Sequence, residues 1–98
     1  MDIKGTFYFD PADRIYEDHF PGHAVVPGSL IIGAFIEAGK DAGILEDEIV
    51  LNDFKFREFV RPGEHAYAMD VTVDRINCRL FQGASEGTNP IVTGTIER

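Results

Sequence analysis

Alternating and continuous apolar stretches divide the first half of the chain into a strand, a loop and a helix. The stretch from Ile3 to Phe9 alternates between two faces, which is typical of a strand. Residues 29–42 (SLIIGAFIEAGKDA) carry apolar side chains around most of a helix. Gly28 or Ser29 is expected to open this helix, with Ser29 as a candidate cap, and Gly43 to stop it. Such a helix is expected to be buried on most sides.

The second half of the chain carries four further stretches with strand character. They are residues 49–60, the run from Tyr67 to Val73, a run from Ile76 to about Gln82, and Ile91 to Ile96. The order of elements predicts one α+β domain over residues 1–98, in which a curved antiparallel sheet wraps around one long buried helix. Because unpaired edge strands favour pairing with another chain, we expect a dimer joined at the sheet edges.

Composition and charge narrow the classes of function. The 98 residues are 44% hydrophobic and carry a formal net charge of −8. This charge argues against nucleic-acid binding and against binding to an anionic membrane surface. The single cysteine, Cys78, excludes an internal disulfide. No signal peptide and no membrane-spanning run is expected, so the sequence predicts a soluble, cytoplasmic protein.

Basic residues gather at one place in the second half. Residues 1–50 hold three basic and ten acidic residues, whereas Lys55, Arg57 and Arg61 lie close together in the sequence. One interpretation is a solvated strand face. The other is a docking point for an acidic partner or for a phosphate-bearing ligand.

One segment, residues 18–30 (DHFPGHAVVPGSL), combines groups that can act on a substrate. His19 lies in a turn beside an apolar region, where a neutral imidazole can accept a proton near neutral pH. Gly28 stands at the helix start, where its N–H and the helix dipole suit a carbonyl oxygen that gains negative charge. This pair suits proton abstraction next to a thioester carbonyl. Alternatively, His19 is a hydrogen-bonded structural histidine or an exposed one. His19 and His23 lie in a loop and are not expected to bind a metal together.

These residues resemble the active-site segment of the β-hydroxyacyl-acyl-carrier-protein dehydratases, which have the hotdog fold. The resemblance rests on HFPG at 19–22, a four-residue spacer, Pro27-Gly28 and an apolar helix. A second match is the stretch from Phe54 to Glu64, which is similar to that family's strand after the helix and ends in a Pro-Gly-Glu turn.

The resemblance implies roles for individual residues. The family's histidine removes a proton from C2 of a 3-hydroxyacyl thioester, and this position is His19. The polarising amide corresponds to Gly28. The acid that protonates the departing hydroxyl, on the helix of the other subunit, should lie five residues further on, at Gly33. Loss of a general acid costs about 10²–10⁴-fold in rate. Glu37, one turn along, is either a displaced acid acting through water or a polar residue near the dimer interface.

Because Gly33 cannot supply a proton, the sequence leaves three functions open. The first is a (3R)-hydroxyacyl-acyl-carrier-protein dehydratase-like enzyme. The second is a catalytically impaired acyl-thioester-binding subunit or heterodimer partner, and the third is an acyl thioesterase in which water replaces the carboxylate. The resemblance implies no cofactor and no metal. The residues of this chain that the resemblance implies for substrate binding are Phe20, Pro27, Ser29, Gly33 and Phe59.

The expected substrate is an acyl thioester carried by acyl carrier protein or coenzyme A. The expected protein partner is a second copy of the chain, and the dimer could assemble further. A carrier protein is itself acidic, so a chain with a net charge of −8 would repel it at long range. Contacts through Lys55, Arg57 and Arg61 could offset this repulsion.

Overall fold

One helix lies in the concave face of a curved antiparallel sheet. The computed structural model describes residues 1–16, 24–87 and 89–98. In chain order the elements are β1 (Asp2–Phe9), a 3₁₀ turn (Arg14–Tyr16), α1 (Gly28–Asp41), β2 (Val50–Phe56), β3 (Gly63–Val71), β4 (Arg75–Leu80) and β5 (Val92–Glu97). The strands within these ranges form one sheet in the order β1-β3-β4-β5-β2. The predicted α+β class is confirmed.

The core lies between α1 and the inner face of the sheet. Ile31 and Phe35 point inward from the helix, and both are buried. They meet side chains that alternate along the central strands, as a period of two requires: Met69, Ile76, Cys78, Leu80, Val92 and Ile96. An aromatic cluster closes the β1 side, where the Phe7 and Tyr67 rings stack 4.0 Å apart and Phe35 meets Phe7 edge-on at 5.0 Å. The core therefore fixes the position of α1 against the sheet.

The helix is less enclosed than predicted. Its inner side packs on the sheet, but an outer stripe is exposed in the single chain, so the prediction of burial on most sides is wrong for the chain alone. The stripe consists of Ser29, Leu30, Gly33, Glu37, Lys40 and Asp41. A single sheet of this size can cover only one side of a helix, and the stripe therefore remains open to a ligand or to another chain.

The ends of the helix agree only partly with the prediction. Pro27, not Ser29, occupies the N-cap position, and Gly28 is the first helical residue. Ser29 lies inside the first turn, where its side chain does not cap the helix. At the other end Gly43 adopts φ 74°, a left-handed conformation that glycine tolerates best, so its predicted role as the stop is confirmed.

Strand β2 ends earlier than its alternation predicts. The predicted strand covers residues 49–60, but a register shift between Asn52 and Lys55 interrupts the pairing with β5. Asp53 lies at this irregularity with φ 54°. The bulge bends the strand, which ends at Phe56, and Phe59 lies beyond it with 79% of its surface exposed.

Candidate active site

The predicted base lies outside the part of the chain that the structure describes. His19, with Phe20 and His23, belongs to residues 17–23, which fall between the described ranges. The role of His19 as the base and that of Phe20 in substrate binding therefore remain predictions from the sequence.

The start of α1 presents backbone N–H groups without a side-chain cap. Pro27 stands at the N-cap with ψ 143°, and no side chain in the described ranges caps the helix. The carbonyl of Pro27 accepts from the N–H groups of Leu30 and Ile31, at 3.0 and 3.2 Å. The first N–H groups of a helix have no intrahelical acceptor, so those of Gly28 and Ser29 can meet a ligand. Their position at the positive end of the helix dipole suits a developing oxyanion.

The segment that leads into the helix is anchored to the loop that follows β2. Val26 is buried, and its N–H donates to the carbonyl of Val60 at 2.8 Å. Phe59, the neighbour of Val60, is thereby held in the region of the helix start. Phe56 approaches the helix itself, because its ring occupies the space next to Gly28 where a side chain would stand. The sequence reasoning did not single out Phe56, whose role follows from this tertiary contact.

A groove runs along the exposed stripe of α1. It has a volume of about 430 Å³. The helix contributes Ser29, Leu30, Gly33, Ala34 and Glu37, and the facing wall is formed by Tyr8, Phe9, Asp10, Asp13 and Tyr16. The structure thus brings Ser29, Gly33 and Glu37 together in one groove, and their roles toward a substrate stay predictions. We call this the Gly33 groove.

Gly33 faces open space in this groove. A Cβ built on it would meet no atom within 4 Å among the described residues. The described part of the chain therefore does not require a glycine here, and it leaves room for a larger side chain. Glu37, one turn further along the same stripe, is exposed and lines both this groove and its continuation toward Ala38 and Tyr67. It is the carboxyl group on the helix wall of the groove.

Tyr16 is a polar residue of the groove that the sequence reasoning missed. Its hydroxyl oxygen is shielded from solvent, and no described residue forms a hydrogen bond with it. Shielding from water raises the pKa of Tyr16, and the nearby carboxylates of Asp13 and Asp10 raise it further. No local pattern in the sequence signals this, since burial of the hydroxyl depends on the surrounding fold.

The structure places two of the three predicted docking residues together and the third, Arg61, elsewhere. Lys55 and Arg57 line a shallow concavity of about 310 Å³ together with Arg79, which the sequence reasoning did not include. We call it the basic concavity; its other lining residues are Asp53, Asn77, Cys78, Thr93, Gly94 and Thr95. Arg61 is exposed elsewhere, and its carbonyl oxygen lies 2.7 Å from Nε2 of the buried His65.

The described ranges hold neither a metal-binding cluster nor a membrane-spanning helix. Residues 1–16, 24–87 and 89–98 contain no group of three or more His, Cys, Asp or Glu side chains arranged to hold a metal ion. In the same part of the chain, no helix has the length and apolar character needed to cross a membrane.

Comparison with known proteins supports the resemblance seen in the sequence. The family model for ApeI-like proteins, described as ApeI dehydratase, matches residues 1–95. The 3-hydroxyacyl-acyl-carrier-protein dehydratase FabZ of Herpetosiphon aurantiacus is 31% identical over 92 residues, which cover 86% of this chain and 62% of that protein. FabZ of Campylobacter lari is 30% identical over 97 residues, covering 83% of this chain and 64% of that protein. The chain thus spans less than two thirds of the length of these relatives.

A solved structure shares the architecture. The ApeI:P dehydratase heterocomplex of Xenorhabdus doucetiae contains a chain that superposes with a TM-score of 0.73 at 18% identity, over 98% of this chain and 85% of that chain. This likeness confirms the predicted hotdog fold.

Proposed function

The chain belongs to the ApeI-like dehydratase family, and from this membership we propose that it eliminates water from a 3-hydroxyacyl thioester to give a 2-enoyl thioester. The observation that carries the proposal is the family match over residues 1–95, combined with an uncapped helix start beside an open groove. The thioester carbonyl would lie at the N–H of Gly28, and the acyl group would extend toward the Gly33 position on the helix of the second chain, where the family resemblance places the acid.

The first half of the reaction needs a base and an oxyanion donor. His19 removes the proton from C2, and the electron pair moves toward the thioester carbonyl. The Gly28 N–H, at the positive end of α1, stabilises the negative charge on the carbonyl oxygen. Pro27 supports this role because it leaves the helix start without a capping side chain.

The second half of the reaction needs a proton for the departing hydroxyl. Gly33 cannot supply it, and Glu37 is the carboxyl on the helix wall of the groove. We assign the proton to Glu37, acting through a water molecule that fills the space left open at Gly33. The C3–O bond then breaks, the C2=C3 double bond forms, and the hydroxyl leaves as water.

The assembly that we propose is a homodimer joined at the β2 edge. This edge strand exposes Val50 and Leu51, and Phe56 at its end is also partly exposed. Unpaired strand edges with apolar side chains favour pairing with another chain. A second copy seated there would extend the sheet across both chains, and the family resemblance then implies that each active site uses residues of both chains.

The dimer can be tested by charge insertion. Val50→Lys at the β2 edge should shift the sedimentation coefficient from that of a dimer to that of a monomer. Val73→Lys is the matched control, because Val73 is 92% exposed in the turn between β3 and β4. A wild type that is dimeric only when mixed with a related chain would contradict the homodimer and favour a heterocomplex.

The proposed substrate is carried by an acidic acyl carrier protein that docks at the basic concavity. Lys55, Arg57 and Arg79 gather there although the chain as a whole carries a formal charge of −8. Such a local positive surface can orient an acidic partner that the whole chain would repel. The single buried cysteine fits a reducing compartment, so we place the reaction in the cytoplasm.

The activity is tested by mixing purified protein with a 3-hydroxyacyl thioester and following the enoyl chromophore and the released thiol separately. We expect the double bond to form without thiol release. His19→Ala should abolish this signal, and Glu37→Gln should lower it by about 10²–10⁴-fold. Lys40→Gln is the control, since Lys40 lies on the same exposed stripe beyond the groove. Thiol release without a double bond would indicate a thioesterase, and no product of either kind would overturn the proposal.

A further inference from the structure

Among the described residues, His65 is the one polar or charged residue that the fold buries, with 4% of its surface exposed. It lies in β3, where it pairs with Phe7 of β1, and its ring centre is 6.2 Å from that of Phe9. Burial of an imidazole costs free energy unless its nitrogens find hydrogen-bond partners. The partners of His65 therefore indicate which parts of the chain it holds together.

Both ring nitrogens of His65 meet backbone groups from other parts of the chain. Nε2 lies 2.7 Å from the carbonyl oxygen of Arg61. Because a carbonyl oxygen can only accept, Nε2 carries a proton and donates it there. Nδ1 lies 3.0 Å from the carbonyl oxygen of Phe81 and 3.3 Å from the backbone nitrogen of Gly83. These contacts on the Nδ1 side fix the ring so that its Nε2–H is aimed at Arg61.

The turn that begins at Arg61 relies on this side chain for a donor. Pro62 follows Arg61 and has no N–H to offer. Gly63, the next residue, adopts φ 128°. Among the described residues, no backbone N–H donates to the Arg61 carbonyl. The imidazole of His65 supplies that donor and closes the connection between β2 and β3.

The closed turn is linked to the start of α1. Val60, which precedes Arg61, accepts a hydrogen bond from the N–H of Val26 at 2.8 Å, and both valines are buried. Gly28 stands two residues after Val26. Because Pro27 between them has a fixed φ, the position of Val26 decides where the Gly28 N–H points.

We propose that His65 is a positioning residue for the oxyanion donor. Its Nε2–H holds the Arg61 carbonyl and, through the bond between Val60 and Val26, holds the Gly28 N–H in place. This inference rests on the proposed dehydration of a 3-hydroxyacyl thioester. An oxyanion donor stabilises the transition state more than the bound substrate, so its displacement should lower kcat and leave KM nearly unchanged.

Two variants separate the two sides of the ring. In His65→Gln the side-chain amide nitrogen takes the place of Nε2, whereas in His65→Asn it takes the place of Nδ1. Both keep a buried polar group, but only glutamine can donate to the Arg61 carbonyl. With a 3-hydroxyacyl pantetheine thioester, we expect His65→Gln to keep kcat within about threefold and His65→Asn to lower it about 10–100-fold, since small displacements of a catalytic group have effects of this size. KM should change by less than about threefold in both variants.

Ile76→Val controls for lost stability. Ile76 is buried on β4 opposite Val71, at the other end of β3 from His65. This variant should unfold at a lower urea concentration and keep the kcat of the wild type. A loss of kcat in His65→Gln as large as that in His65→Asn would show that the Nε2 donor is not what matters, and would overturn the proposal.

Hydrogen exchange tests the link without catalysis. In His65→Asn the Val26 amide should exchange at least about tenfold faster than in the wild type, and in His65→Gln it should exchange at the rate of the wild type. If neither variant folds, the wild type decides. Relative to an unfolded peptide, the Nε2 proton of His65 and the Val26 amide proton should be protected to within about tenfold of each other. A Val26 amide that is protected far better would show that the helix start is held without His65, and would overturn the proposal.

The outcomes for this proposal and for the proposed function differ. A wild type that dehydrates thioesters while His65→Asn keeps its kcat would overturn the role of His65 alone. A wild type that forms no enoyl product would overturn the proposed function and, with it, this proposal.

Discussion

The ring of Phe56 lies against Gly28, with its Cζ atom 3.0 Å from the point that a Cβ on Gly28 would occupy. This contact links the end of β2 to the start of α1, where the proposed oxyanion donor stands. Phe56 is 44% exposed, so its ring has room to shift toward solvent, but such a shift loosens this contact. Beside its proposed role at the substrate, Gly28 therefore allows the helix start to pack against the end of β2.

Two glycine-to-alanine variants on α1 should have opposite effects on stability. Gly28→Ala places a methyl group against the Phe56 ring, and the cost should lie near the lower end of the range for overpacking, about 1 kcal/mol, because the ring is partly exposed. Gly33→Ala meets nothing within 4 Å and should stabilise the protein by up to about 1 kcal/mol, because alanine favours the helix. Urea denaturation should therefore give Gly28→Ala the lower free energy of unfolding.

A double-mutant cycle tests whether the Phe56 ring causes the loss of stability in Gly28→Ala. In a Phe56→Leu background the cost of Gly28→Ala should fall by at least about 0.5 kcal/mol, since contacting residues couple by this amount or more. Equal effects of the two alanines, or a cost that is unchanged in the Leu background, would show that Phe56 does not constrain Gly28.

Gly33→Glu should restore a direct proton donor. The open space at Gly33 can hold the new side chain, and the family resemblance places an acid at this position. Since a general acid contributes about 10²–10⁴-fold, we expect the dehydration rate to rise at least tenfold, even if the new side chain is imperfectly placed. The rise should appear in kcat, measured with the 3-hydroxyacyl thioester.

Gly33→Gln controls for size and polarity, because glutamine has a similar shape but no acidic proton. It should give no such increase. A Gln variant as fast as the Glu variant would mean that filling the groove, and not proton donation, limits the rate.

Charge removal from the basic concavity should weaken docking of acyl carrier protein. Replacing Lys55, Arg57 and Arg79 together with Gln should raise the dissociation constant about tenfold at low salt, because exposed charge pairs contribute about 0.2–1 kcal/mol each. Binding is measured by titration at several salt concentrations, and the variant should also show a weaker dependence on salt.

The control removes three cations from other places. Lys4, Lys40 and Arg75 lie in exposed ion pairs away from the concavity, so their replacement with Gln lowers the net charge equally. We expect a smaller effect and no loss of the salt dependence. If both triple variants weaken binding alike, long-range repulsion by the whole chain would account for the result.

The fold was predictable where a local pattern of residues determines the backbone conformation. The alternation through Met69 and Val71 identified β3, and Gly43 identified the helix end, because these patterns follow from local backbone geometry. The bulge at Asp53 was not predictable. The residues before Phe54 do not alternate, and the register depends on the pairing with β5.

The candidate site was predictable only as far as it lies on one segment. The family resemblance identified Gly33, and helical spacing added Glu37, which lies one turn further along the same stripe. The facing wall comes from a turn that follows β1, so the shielding of Tyr16 depends on tertiary packing. Likewise Arg79 joins Lys55 and Arg57 only because β4, β5 and β2 are neighbours in the sheet.

The buried thiol of Cys78 should make the protein less stable in alkali. Burial raises the pKa of Cys78 from 9.0 to about 12. Above pH 9 the thiol of the unfolded chain loses its proton, while that of the folded chain keeps it. Because the unfolded state then binds fewer protons, the free energy of unfolding should fall by about 1.4 kcal/mol per pH unit between these two pKa values.

The comparison of wild type with Cys78→Ala isolates this effect, because every other ionising group is common to both. Below pH 9 the wild type should be the more stable, since alanine leaves a cavity beside Ile76 and Leu80. As the pH rises toward 11 the difference between the two free energies of unfolding should shrink. Parallel stability curves across this range, or rapid labelling of the native thiol by an alkylating reagent at pH 8, would show that Cys78 is not shielded from water.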